Sequence, residues 1–224
     1  MKDVNGQVDK LTKNIDKFLN YAEEGQKKFG GPSEYFYSKI IECHNKKSLN
    51  ELLGEESFYE YIYATLISWG MHRMGKGGAK MRDFSPFRES IEECKEDLLK
   101  LDNKSLEKLL PNQIDQTQEI LLKVFHKLKV METNSKIVGT SKTLHFILPA
   151  LVVPIDREYT LRFFGRRNNL TSKNKEKLFS DLFYRFCEIS QKLTLDKVNF
   201  KKSKFQPSVA KLIDNAIIGY VSKS

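Results

Sequence analysis

Apolar positions recur at three- and four-residue spacing along almost the whole chain, which is the signature of helices packed by one face. Val8, Leu11, Ile15, Phe18, Leu19 and Ala22 share one face of a helix predicted over 4–29, and Gly30-Gly31-Pro32 ends it. Ser33 caps a second helix through Ile41, with Tyr35, Phe36 and Ile40 inward, and Ser48 to Leu53 is a short helix or turn. Phe58 to Trp69, FYEYIYATLISW, is nearly all apolar. Its β-branched and aromatic residues also suit a strand, but Glu55 and Glu56 ahead of it and the lack of strict alternation favour a buried helix. Gly70 to Arg82 is glycine-rich and basic and reads as a mobile loop. Asp83 or Ser85, with Pro86, starts a helix to about Leu101. A short helix follows from Asn103 or Ser105 to Leu110, then a longer one from Ile114 to Val130. Ser172 caps a helix to Leu193, and Ser208 caps the last, which ends near Tyr220. Nothing alternates for long enough to demand a sheet. The expected fold is an all-α, multi-helix globular protein, one domain over 1–224, with 1–55 plus 165–224 and 56–164 as candidate lobes.

One stretch departs from this plain amphipathic pattern. Lys136 to Phe164, KIVGTSKTLHFILPALVVPIDREYTLRFF, sets a glycine, a lysine and an aspartate into an apolar run. Gly139 can adopt φ > 0 and turn the chain tightly, and Thr140 or Ser141 can cap a helix that Lys142 opens. Leu144, Phe146, Ile147 and Leu148 make that helix apolar, and Pro149 stops it. Pro154 relaunches the chain, and Asp156 then sits at the start of a second helix, where an acid suits the dipole.

Charge and cysteine content narrow the classes. Lys+Arg 38 against Asp+Glu 29 leaves a net charge of +9, which points to a polyanionic partner or to a well-solvated lysine-rich surface. Cys43, Cys94 and Cys187 are odd in number and far apart, with no CxxC, so reduced thiols are expected and no zinc or iron–sulfur site. His44, His72 and His126 lack metal-ligand spacing, and neither a metal nor a cofactor is expected. The polar start MKDVNGQVDK has no apolar leader, and the longest apolar run, Leu144 to Ile155, is broken by His145 and two prolines. A cytoplasmic protein without a membrane partner is the expectation; oligomeric state is not legible.

Two segments resemble the helix-hairpin-helix DNA glycosylase superfamily over roughly 58–164. Phe58 to Ser68 is similar to an apolar helix that in the family ends in a serine before the substrate-facing loop. Gly139-Thr140-Ser141-Lys142-Thr143, followed by Pro154-Ile155-Asp156, is similar to the family's glycine-rich hairpin, its Lys-Thr and its catalytic aspartate. This chain has one hairpin glycine where the family has two, and a shorter interval from lysine to aspartate. The resemblance implies a base-excision-type glycosylase/lyase, a hydrolase and lyase of DNA repair, acting on duplex DNA. Lys142 would attack C1′ of a damaged nucleotide as a neutral amine, and Asp156 would orient or deprotonate it. The base would be flipped out, with Trp69, Phe84 or Tyr159 stacking on it. Gly139 and Thr140 would offer backbone N–H groups to a phosphate, and His145 an acid or phosphate donor.

Against this stands a plainer reading. Lys142 is then an exposed first-turn lysine, Asp156 a plain cap and His145 a packed core residue. A non-catalytic helical protein that binds nucleic acid or protein would use the same basic residues. Arg157, Arg162, Arg166 and Arg167, with Lys76, Lys80 and Arg82, can line a phosphate groove. The expected outcome is duplex-DNA binding at low salt that weakens steeply as salt rises and weakens again in Arg166→Glu/Arg167→Glu. A gel-shift titration insensitive to both changes rejects the groove.

Overall fold

The computed structural model describes residues 4–73, 78–133, 136–165, 175–203 and 205–223, and the regular structure within them is helical. In order come α1 (Val4–Thr12), α2 (Ile15–Gln26), α3 (Pro32–Lys46), α4 (Leu49–Leu52), α5 (Glu56–Ser68), α6 (Phe84–Glu92) and α7 (Lys95–Leu99). A 3₁₀ turn (Leu106–Lys108), α8 (Pro111–Lys127), α9 (Lys136–Ile147), a π-helical turn (Arg157–Leu161), α10 (Lys175–Lys192) and α11 (Val209–Lys223) follow. The only extended pairings among the described residues are two isolated bridges, Met81 with Met131 and Ser203 with Gln206. The fold is all-α. None of its described helices is long and apolar enough to cross a membrane.

Several boundaries fall elsewhere than the apolar spacing predicts, and local chemistry explains each. The helix expected over 4–29 is two helices, because Asn14 is extended and its side chain accepts from Lys17 N at 2.9 Å, capping α2 afresh. The helix expected from Asp83 to Leu101 is likewise split between α6 and α7 at Glu93 and Cys94. Ser33 lies inside α3, whose first residue is Pro32 after Gly31 at φ 61°, and α3 continues past Ile41 to Lys46. The short helix or turn expected over Ser48 to Leu53 is α4, and Ser48 caps it in a reciprocal capping box with Glu51. The expected cap at Ser172 lies outside the described residues.

The largest revision concerns Gly139. It sits one turn inside α9, at helical φ, and so makes no hairpin turn. What it provides is close approach: a Cβ there would lie 2.6 Å from the Met131 side chain. Lys142 consequently stands in the middle of α9 and does not open it.

Two helices are covered all round and set the frame for the site. Every residue of α9 from Ile137 to Ile147 is buried, as is every residue of α11 from Val209 to Gly219. Such helices lack a solvent stripe, and any polar group on them must find a partner inside. α11 crosses α2 at backbone distance. A Cβ on Gly219 would lie 1.9 Å from the Tyr21 carbonyl oxygen, and one on Gly25 2.0 Å from that of Asn215. Backbone cannot yield there as a flexible side chain would. Gly219→Ala is expected to lower unfolding stability by about 3 kcal/mol or more, whereas Gly30→Ala, with open space around it, should stay within about 0.5 kcal/mol. Urea denaturation of both variants checks the contrast, and equal midpoints would refute the crossing.

Candidate functional site

Lys142 and Asp156 are brought together by side-chain clamps on α9. Ser141 Oγ accepts from Ile155 N at 3.0 Å, and His145 Nδ1–H donates to the Val152 carbonyl at 2.6 Å. These residues, four apart on one face of α9, hold the extended segment 152–155 along the helix. The chain must then emerge beside Lys142. Asp156 caps the π-helical turn, its Oδ1 accepting from Glu158 N at 2.7 Å and Tyr159 N at 3.3 Å. Its other oxygen, Oδ2, lies 3.5 Å from Lys142 Nζ.

Trp69 is fixed by the end of α5. Gly70 at φ 74° lets Met71 N reach the Leu66 carbonyl and Gly70 N the Ile67 carbonyl, a glycine-terminated helix end. The indole N–H donates to the Ser33 carbonyl at 3.2 Å, and Ser33 Oγ donates back to the Ser68 carbonyl. The Trp69 carbonyl thereby faces Lys142 Nζ at 3.4 Å, and its ring centroid lies 5.5 Å from the same amine. Lys142 is 5% exposed. Burial pushes its amine below the ordinary lysine range, while Asp156 and Asp214 pull it back up.

A second buried pair completes the site. On α11, Lys211 Nζ meets Asp214 Oδ2 at 2.5 Å, with both residues almost fully covered. Phe205, Trp69, Phe29 and Tyr37 surround the Lys211 ammonium with ring centroids 4.4, 5.0, 5.2 and 5.9 Å away. Aromatic faces favour the cation, so this pair is best described as ammonium and carboxylate. Burial pushes the Asp214 carboxyl up, and Lys211 opposes that shift by charge and hydrogen bond. Sequence reasoning missed both residues. The signal was available: VAKLIDNAIIGY is an apolar helix with opposite charges three positions apart, on one face.

Between the two pairs lies a cavity of about 290 Å³, walled by Phe29, Trp69, Tyr159 and Pro154. It shares Trp69, Gly70, Arg73, Lys142 and Asp156 with a wider cleft of about 610 Å³, whose lip carries Arg157 and Glu158. A hollow of about 650 Å³ between the end of α2 and residues 199–203 and 205–206 is larger, but its charged residues are all exposed. Converging buried charges, and not volume, mark the candidate site.

Lys142, Asp156 and Trp69 therefore converge, and Tyr159 joins them. Arg157 is exposed at the lip. Gly139 and Thr140 are buried inside α9, so the expected phosphate cradle is absent there. Phe84 packs edge-on against Tyr63 and does not line the cavity. Arg166, Arg167 and Lys76 lie outside the described residues. His145 does not face the cleft. It is fully covered, and its Nε2 accepts from the Tyr37 hydroxyl at 2.9 Å. Desolvation first, and the Lys211 charge second, lower its pKa to about 3. It is a neutral clamp, not an acid or phosphate donor.

No protein-family model, curated protein or solved structure matches this chain.

The depressed His145 pKa makes a stability prediction. Between pH 6.5 and about 3 the unfolded chain takes up a proton at His145 that the folded protein refuses, so stability present above pH 6.5 is lost as pH falls. From pH 7 to pH 5 that loss is about 2 kcal/mol. His145→Gln should remove this part of the acid slope. Urea stability at the two pH values reads it, and an unaltered wild-type difference would show that His145 is already protonated when folded.

Proposed function

We propose that the chain is a DNA-acting enzyme of the base-excision glycosylase/lyase type, with Lys142 as nucleophile and Asp156 as its acid–base partner. The observation that carries this reading is the meeting of a desolvated lysine amine with a carboxylate at 3.5 Å inside a cleft. Burial favours the neutral amine that attack requires. The Lys142 lone pair would attack C1′, the bond from C1′ to the base would break with its electrons leaving on the base, and Asp156 would take the amine proton. The C1′–O4′ bond would then break as Asp156 returns its proton to O4′, and the opened sugar is left as a protonated imine on Lys142. Trp69, Phe29 and Tyr159 supply flat apolar walls suited to an extruded ring. Arg73 and Arg157 at the cleft, with the net charge of +9, suit a phosphate backbone.

A specific observation also favours the second reading, a non-catalytic helical binder. Lys142 already has a carbonyl and a carboxylate as partners, as a structural internal ion pair would. The two readings separate in one experiment. Borohydride is added to protein and duplex DNA bearing an abasic site or an oxidised base. Trapping of a covalent complex is expected with the wild type and none with Lys142→Gln, while DNA binding persists, since phosphate contacts remain. Asp156→Asn keeps a competent helix cap and so should fold, yet lose roughly 100-fold or more in rate. Trapping that survives Lys142→Gln excludes Lys142 as nucleophile, and no trapping in the wild type favours the binder.

A further inference from the structure

The two lysines of the cluster are held very unequally. Lys211 has a carboxylate at 2.5 Å and four aromatic rings about it. Lys142 has its carboxylate at 3.5 Å, from an Asp156 whose other oxygen already accepts two backbone N–H groups. Asp214 also lines the cavity with Lys142, but its hydrogen bond is to Lys211. We infer that Lys211 is a positioning residue for Lys142: by holding Asp214 in an ion pair of its own, it withholds that carboxylate and leaves Lys142 as the lysine of the cluster that sheds its proton. The inference rests on Lys142 being the reactive amine, but its physical content is independent of the substrate.

The surroundings leave few other groups to set that proton. Asp156 faces Lys142 directly, with Arg157, Glu158 and Tyr159 beside it at the cleft. Arg73 comes from the chain after α5, and Lys211 and Asp214 from α11. Behind them, Tyr37 on α3 is held protonated by burial, and His145 on α9 is neutral. Of these, Asp156 and Asp214 are the carboxylates that favour the charged Lys142, and Lys211 opposes it. A buried carboxylate released from one ammonium will seek the next. Removing the Lys211 charge should hand Asp214 to Lys142. Removing the Asp214 charge should leave Lys142 facing an uncompensated ammonium.

The test is competitive labelling of the whole protein with acetic anhydride across neutral to alkaline pH, with Lys142 acetylation read by peptide mass spectrometry. In Lys211→Gln the Lys142 midpoint should rise by about one pH unit, and in Asp214→Asn it should fall by at least roughly half a unit. Lys211→Arg should restore the wild-type midpoint. Structural damage alone would move both variants the same way, so the opposite signs are the diagnostic. Circular dichroism records which variants fold, and either one decides by itself: a Lys211→Gln midpoint that does not rise, or an Asp214→Asn midpoint that does not fall, overturns the inference. Borohydride trapping on abasic duplex DNA in the same samples separates it from the functional reading. Opposite midpoint shifts without wild-type trapping keep the role of Lys211 and discard the glycosylase. Trapping with unmoved midpoints does the reverse.

Discussion

A lysine ammonium cannot be carried into a helical core without a partner, and α9 and α11 each carry one in. The desolvation penalty for each ion is several kcal/mol even after relaxation. Lys142 lies on α9 and Lys211 on α11, the two helices that are covered all round. Each therefore dictates what must stand beside it. Lys211 is answered within its own helix by Asp214, three residues on. Lys142 has no such neighbour on α9 and must be answered from another part of the chain. The segment 152–156 is that answer, and the Ser141 and His145 clamps hold it there.

Packing elsewhere transmits to this arrangement. The crossing of α2 and α11 leaves no space for a single methyl group at Gly25 or Gly219. It fixes α11 along and about its axis, and hence where Lys211 and Asp214 enter the cavity. Phe29 follows the end of α2, stacks on Phe205 and faces Lys211, so the same contact locates part of the aromatic cage. Core and site are here one packing problem, seen from two sides.

Helical periodicity made the all-α class legible, because an inward face at three- and four-residue spacing survives even where boundaries do not. The boundaries failed where a side chain competes for the backbone, as Asn14 does, since apolar spacing runs on unbroken through such a cap. Pairing of Lys142 with Asp156 was legible from the prolines and the acid at a helix start. Its supposed cause was wrong: Gly139 is small to admit Met131, not to turn the chain. A glycine reads alike in both cases. His145 misled for a similar reason, because its partners, Tyr37 and the Val152 carbonyl, are distant in sequence or carried by backbone. Lys211 and Asp214 were visible as charges in an apolar helix, but local sequence gives no sign that α11 faces α9 across a cavity.

The geometry also bears on which pair is suited to chemistry. Reaction needs access as well as a shifted proton. Lys211 and Asp214 have side chains only 1% and 5% exposed, and rings enclose the ammonium. Both line the smaller cavity, but with far less surface open than the Asp156 side chain. The Asp156 side chain is 33% exposed at the mouth, with Lys142 just behind it at 7%. That is a carboxylate within reach of solvent beside a desolvated amine, and both line an open cleft. The loosely held pair is the one open to the cleft, and the tightly held pair is the more covered of the two.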